Sequence, residues 1–254
     1  MRFINIRRLF CSDEFLMLLL GEVAFTFFLV IATYFRQTNY FLSRDSITYI
    51  SQIENYIQDN NFIRLQSDYP DAYLPFLYIW IISLLTNFGL NIVKAGLLIN
   101  FLACCVFSLY FIRFIHFFVK SFFFSFTITV LTLIHPNIIN NSIQIQRDSL
   151  FLCLYFLCFY YILKFFSKNS LFDLLLSSVF CSLAVFTRLE GVDFFLFLFI
   201  CLILNKSFKA MTLFVYVFSF LFTLIILVVL LDIHFNSLVI YFNRYIFYLL
   251  KFLK

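Results

Sequence analysis

Charge is the scarcest property of this chain. Lys, Arg, Asp and Glu make up 12% of its 254 residues, against roughly 25% in soluble domains. Hydrophobic residues reach 64% where about 45–50% is ordinary, so water is excluded as the main solvent. Glycine and proline are nearly as rare, at 4 and 3 copies, which rules out a fibrous or low-complexity origin for the apolar content. The chain also lacks the alternating apolar and polar positions of a transmembrane barrel strand. Runs such as FLMLLLGEVAFTFFLVIATY and LFVYVFSFLFTLIILVVLL are apolar on every face. Helices are the other way to satisfy backbone polar groups in lipid, so the expected fold class is all-α, a polytopic transmembrane helix bundle.

Crossing a hydrocarbon core of roughly 30 Å takes about 20 helical residues. Polar clusters divide the chain into candidate spans at 15–34, 72–88, 95–115, 122–134, 150–166, 171–186, 194–204 and 211–231. That predicts seven or eight crossings in a single integral membrane domain over 1–254. Segments 122–134 and 194–204 are short, and each is expected either to extend into its flanks or to be a partial, re-entrant element. The basic opening MRFINIRR precedes an apolar run too long for a signal-peptide core, so it reads as the lead into a first membrane helix.

Arg2, Arg7 and Arg8 place the N-terminus in the cytoplasm by the positive-inside rule, which puts 35–71 outside. Beyond that point two topologies stay open. If all eight spans cross, Lys and Arg divide about equally between the sides. If 72–88 does not cross fully, the turns at Arg113/Lys120, Lys164/Lys168 and Lys206/Lys209 are all cytoplasmic. The net charge of +5 is spread over such turns and reads as topology and headgroup contact, with no nucleic-acid partner. Cys104, Cys105, Cys153, Cys158, Cys181 and Cys201 lie in apolar runs and Cys11 precedes the first, with no disulfide framework or metal spacing. His116, His135 and His234 likewise show no metal-ligand spacing.

Chemistry is therefore sought in the polar clusters. The external loop 35–71 contains RDSITYISQIENYIQD. On a helical wheel Ile47, Ile50, Ile53 and Ile57 share one face, while Asp45, Tyr49, Gln52, Tyr56 and Asp59 share the other. This predicts a helix lying on the membrane surface, with Asp45 or a neighbouring serine either capping it or carrying a function where membrane meets water. In HPNIINNSIQIQRDSLFLCLYF, Pro136 stops a span and Asp148 or Ser149 is placed to cap the next helix. Arg147 could grip a phosphate, pair with Asp148 or snorkel. In AVFTRLEGVDFF, Arg188, Glu190 and Asp193 surround Gly191, either as a solvated turn or as charges lodged at membrane depth. Glu22 is the carboxylate set deepest in a span, as an inter-helical partner or a proton relay.

The order of these pieces, an external loop with an early Asp and a Tyr a turn later, a Tyr-Pro approach to the next span (SDYPDAYLPFLYIW), then QRDSLFLCLYF and TRLEGVDFF, resembles membrane glycosyltransferases of the GT-C fold. The protein O-mannosyltransferase and lipid A aminoarabinose transferase branch is the most similar, over about 35–199. The resemblance implies transfer of a sugar from a polyprenyl-phosphate donor within the membrane lipid to an acceptor on the outer side, with Asp45 as catalytic base. Arg44, Tyr49, Arg147, Arg188 and Glu190 would contact donor phosphate or substrate, and cationic or divalent-metal stabilisation would serve the leaving phosphate. No cofactor is otherwise implied, and no oligomeric state. The chain departs from the family pattern in having one Asp preceded by Arg44 where an acidic pair is usual, and Tyr69-Pro70 and Leu74-Pro75 in place of Pro-Pro. It also reads as having no soluble C-terminal domain, as a minimal, truncated or inactive member would. A transporter or lipid-linked sugar flippase, with its weight on Glu22, and a non-catalytic membrane partner are the competing classes.

Overall fold

The computed structural model describes residues 44–59, 75–204 and 210–230. The first expected span, Glu22 and the Lys206/Lys209 turn lie outside these residues. Within the described residues the chain is entirely helical, with nine helices and no strand: α1 (Arg44–Asp59), α2 (Phe76–Asn87), α3 (Ile92–Val119), α4 (Phe122–Leu133), α5 (Pro136–Ile143), α6 (Asp148–Lys168), α7 (Leu171–Thr187), α8 (Glu190–Leu204) and α9 (Ala210–Leu230). Among the described residues, α3, α6 and α9 are the helices both long and apolar enough to cross a membrane. A fourth crossing is formed if Phe123–Leu133 and Pro136–Ile143, bent by 60° at their junction, act as one broken span. The seven or eight crossings expected are thus met in part. The main cause is length: α2 has 12 residues and covers about 18 Å, well short of the hydrocarbon core.

Helix limits follow from local chemistry. Asn91 Oδ1 accepts the Val93 N–H at 2.9 Å and opens α3, and Ser170 opens α7 through the Asp173 N–H. Lys120 and Asn169 adopt left-handed backbones, at φ 50° and 51°, and their N–H groups close α3 and α6 on the carbonyls of His116 and Phe165. Pro136 sits at the start of α5, where its missing N–H is harmless. It also forces the chain to turn there, which produces the bend after α4.

Side-chain pairings define the bundle. Helices α3 and α6 run parallel, with Phe107 against Phe156 at 5.1 Å and the Tyr110 and Tyr161 hydroxyls bonded at 3.1 Å. Helix α7 returns antiparallel to α6, tied by Lys164–Asp173 at 2.8 Å and by the Ser177 hydroxyl donating to the Cys158 carbonyl at 2.9 Å. Helix α9 packs along α7 through Ser178–Ser219 and through Ser182 donating to the Phe220 carbonyl at 3.1 Å. This seam of small hydroxyl residues lets backbones approach closely, as in membrane helix pairs.

The bundle therefore has two distinct ends. At one, α3 and α6 finish and α7 begins, and among the described residues Arg113, Lys120, Lys164 and Lys168 gather with a single carboxylate, Asp173. At the other lie α1, α2, the starts of α3 and α6 and the α7–α8 turn. There, among the described residues, six carboxylates accompany Arg44, Lys94, Arg147 and Arg188. Helix α2 stays at this second end: Phe76 packs on Phe186 of α7 at 6.4 Å, and Asn87 is only a short turn from the start of α3.

Candidate functional site

The α7–α8 turn builds the centre of the site. Arg188 ends α7 with an extended backbone, its N–H held by the Ala184 carbonyl at 2.8 Å. The Gly191 N–H then returns to the Arg188 carbonyl at 3.1 Å, so α8 starts at once. A Cβ at Gly191 would lie 2.7 Å from the Val185 nitrogen and 3.0 Å from the Ala184 carbonyl carbon. Both are backbone atoms that cannot step aside, so this turn requires glycine.

So held, the Arg188 guanidinium reaches two partners. It grips Glu190 through both carboxylate oxygens, at 2.7 and 3.3 Å, and forms an ion pair with Asp148 at the start of α6. It also lies over the Phe151 ring, 5.4 Å from the centroid. Burial alone would raise the Glu190 carboxyl, but the Arg188 hydrogen bond and charge outweigh it and hold that carboxyl below its usual range. For Arg188, burial works against the charged form, and Glu190 and Asp148 together reverse the effect and push it up. The Asp148 carboxylate is thus occupied by Arg188. The helix cap position belongs to Arg147, which makes no side-chain cap, and the buried Ser149 hydroxyl finds no partner among the described residues. The expected capping of α6 by Asp148 or Ser149 is corrected accordingly, because an ion pair to a guanidinium outcompetes a single backbone donor for that carboxylate.

Helix α1 docks on the same end. Its Tyr49 ring lies under the Arg147 guanidinium, 5.8 Å to the centroid, and meets Tyr78 of α2 edge-on at 6.2 Å. Burial raises the Tyr49 phenol, and Arg147 works against that rise while Asp148 and Asp45 reinforce it. Tyr49 thus feels Asp45, Arg147, Asp148 and Arg188 together. Asp45 is exposed in the first turn of α1, and Arg44 opens the helix. The expected division of α1 into faces needs correction. Ile53 is fully buried, with Ile50 and Ile57 partly so, but Ile47 is 59% exposed, and Gln52 and Tyr56 of the supposed aqueous side are buried. The docked face is rotated because α1 packs on α2 and α3 and not on lipid.

Beside this cluster opens a groove of about 730 Å³ between α6 and α8, lined by Phe151, Tyr155, Phe159, Phe194 and Phe197, with Glu190 and Asp193 among its walls. Its aromatic wall was not singled out in the sequence. The spacing of Phe151, Tyr155 and Phe159 is a helical stripe, but among 42 Phe and 15 Tyr no such stripe stands out. Among the described residues no group of three or more His, Cys, Asp or Glu converges as a metal site. No protein-family model, curated protein or solved structure matches this chain.

Proposed function

We propose that this membrane protein transfers a sugar from a polyprenyl-phosphate donor to an acceptor at the outer face of a cell membrane, with an N-terminus in the cytoplasm. The supporting observation is a juxtaposition: α1, bearing Asp45 and Tyr49, docks at the end of the bundle where Arg147 and Arg188 stand, beside an aromatic groove. The segment 35–71 would form the external loop, with α1 along the membrane surface. The orientation draws on the charge difference between the two ends, since Lys and Arg in short turns favour the cytoplasm. The cation-rich end at Lys164 faces inward on this reading.

In the reaction, a carboxylate oxygen of Asp45 takes the proton of the acceptor hydroxyl or amine as that atom attacks the anomeric carbon of the sugar. The bond from that carbon to the donor phosphate oxygen breaks, and polyprenyl phosphate departs with the electron pair. Arg147 is the cation that would meet this charge, with Arg44 a second candidate by its place in the sequence beside Asp45, because Arg188 is already shared between Asp148 and Glu190 and serves to position them. The polyprenyl chain would follow the Phe151–Tyr155–Phe159 wall.

Transfer of radiolabelled sugar from membrane-embedded donor lipid tests this reading. Asp45→Asn keeps shape and hydrogen bonding but removes the basic oxygen, and is expected to slow transfer by about 10²–10⁴-fold with donor binding retained. Full activity in Asp45→Asn overturns the catalytic assignment. A loss confined to Glu22→Gln transfers the preference to a transporter or flippase.

A further inference from the structure

The opposite end of the bundle carries a second concentration of chemistry that plays no part in the sugar transfer. Where α3 and α6 finish side by side, Arg113, Lys164 and Lys168 line a cavity of about 120 Å³ together with Phe117, Tyr160 and Ser167. Lys164 is anchored by Asp173 at 2.8 Å and lies over the Tyr161 ring. Arg113 rests over Tyr110, 5.6 Å to the centroid. Neither Arg113 nor Lys168 has a carboxylate partner among the described residues. Among the described residues the charges facing the cavity are therefore three cations, with one carboxylate beyond them. The C-termini of α3 and α6 add some negative potential at this end, which the N-terminus of α7 and the cations oppose.

We propose that this cavity holds the phosphate of a net-anionic membrane phospholipid. Its volume lies below the roughly 300–1,000 Å³ of sites that enclose small organic ligands, but it can seat a headgroup phosphate whose acyl chains remain outside. The guanidinium of Arg113 supplies paired donors for phosphate oxygens, and Lys168 adds a second charge. The surroundings select a lipid over a soluble anion. Phe117 and Phe118 are each 61% exposed beside the cations, on the last turn of a helix apolar enough to span a bilayer, so acyl chains would find an apolar wall next to the phosphate. The site is independent of the sugar-transfer reading, since it requires only that α3 and α6 lie in a membrane.

Native mass spectrometry of the full chain in detergent, titrated with dioleoyl phosphatidylglycerol or dioleoyl phosphatidylcholine, reads the selectivity. Each cation near an anionic headgroup contributes a factor of about 5 in binding. Wild type is expected to prefer phosphatidylglycerol, and Arg113→Gln with Lys168→Gln to lower its affinity by about 25-fold while leaving phosphatidylcholine unchanged. The charge-retaining pair Arg113→Lys with Lys168→Arg should keep the preference. Should the double glutamine variant fail to fold, Arg113→Gln alone decides, with a loss of about 5-fold expected. Undiminished selectivity in the glutamine variants overturns the site, as does displacement of the lipid by excess inorganic phosphate, which would identify a soluble anion as the ligand.

Discussion

At the scale of single residues, Gly191 and Gly96 stand in contrasting surroundings. A methyl group at Gly191 would press on the Val185 and Ala184 backbone, whereas at Gly96 it would meet Ile145 Cγ2 at 2.9 Å, a side-chain atom that can shift more readily than backbone. Gly191→Ala is therefore expected to destabilise the protein by about 1–3 kcal/mol, the usual range for overpacking, and to displace Arg188 from Asp148 and Glu190. Gly96→Ala should cost less. Thermal unfolding of the two variants in detergent checks the order, and equal midpoints would show that the α7–α8 turn has slack its geometry does not reveal. Gly191 stands out in the sequence among three charges, but the structure places it inside α8, where it is needed for close approach and breaks no helix. That Arg188 pairs with Asp148 was not legible in the sequence, since the two are 40 residues apart and meet only once α6 and α7 lie side by side.

At the scale of elements, α1 decides whether Asp45 belongs to the bundle at all. Its attachment runs through Ile53, fully buried, and through Tyr56 and Gln52, while Ile47 on the first turn is exposed. Ile53→Asp should detach α1, seen as faster proteolysis of 44–59 and loss of any transfer activity, because an unpaired charge in an apolar interface costs several kcal/mol. Ile47→Asp should leave both close to wild type. Equal sensitivity of the two would restore the four-isoleucine stripe read from the wheel. The periodicity was sufficient to identify a helix here, but a wheel ranks faces by hydrophobicity alone. The helices against which Gln52 and Tyr56 become buried are α2 and α3, the elements α1 packs on.

At the scale of the whole molecule, the two ends with unlike charge make a topological claim. Gln58 and Asn169 are both exposed, one on α1 and the other at the close of α6. Placed singly as cysteines in a cysteine-free background, they should react with a membrane-impermeant reagent from opposite sides, Gln58→Cys from outside and Asn169→Cys from the cytoplasm. Labelling from the same side contradicts the two-ended bundle, and reversed labelling contradicts the orientation. Of the two topologies open in the sequence, the proposed orientation uses the one in which 72–88 does not cross fully, in keeping with the 12-residue length of α2.

By itself the sequence determined the solvent, because 64% hydrophobic content without strand alternation leaves only helices able to satisfy a backbone in lipid. It also located the polar clusters around Asp45, Arg147 and Arg188 and the stop at Pro136, since helix breaking is a property of neighbouring residues. Only the tertiary structure decided that Arg188 binds Asp148 and Glu190, that Tyr49 lies under Arg147, that α2 turns back at one end and that Arg113 joins Lys164 and Lys168 at the other. Each of these depends on which helices are neighbours. In a chain whose helices are apolar nearly all round, hydrophobic periodicity gives little indication of which face meets which, so the choice fell to close packing at small residues and to a few ion pairs between distant segments.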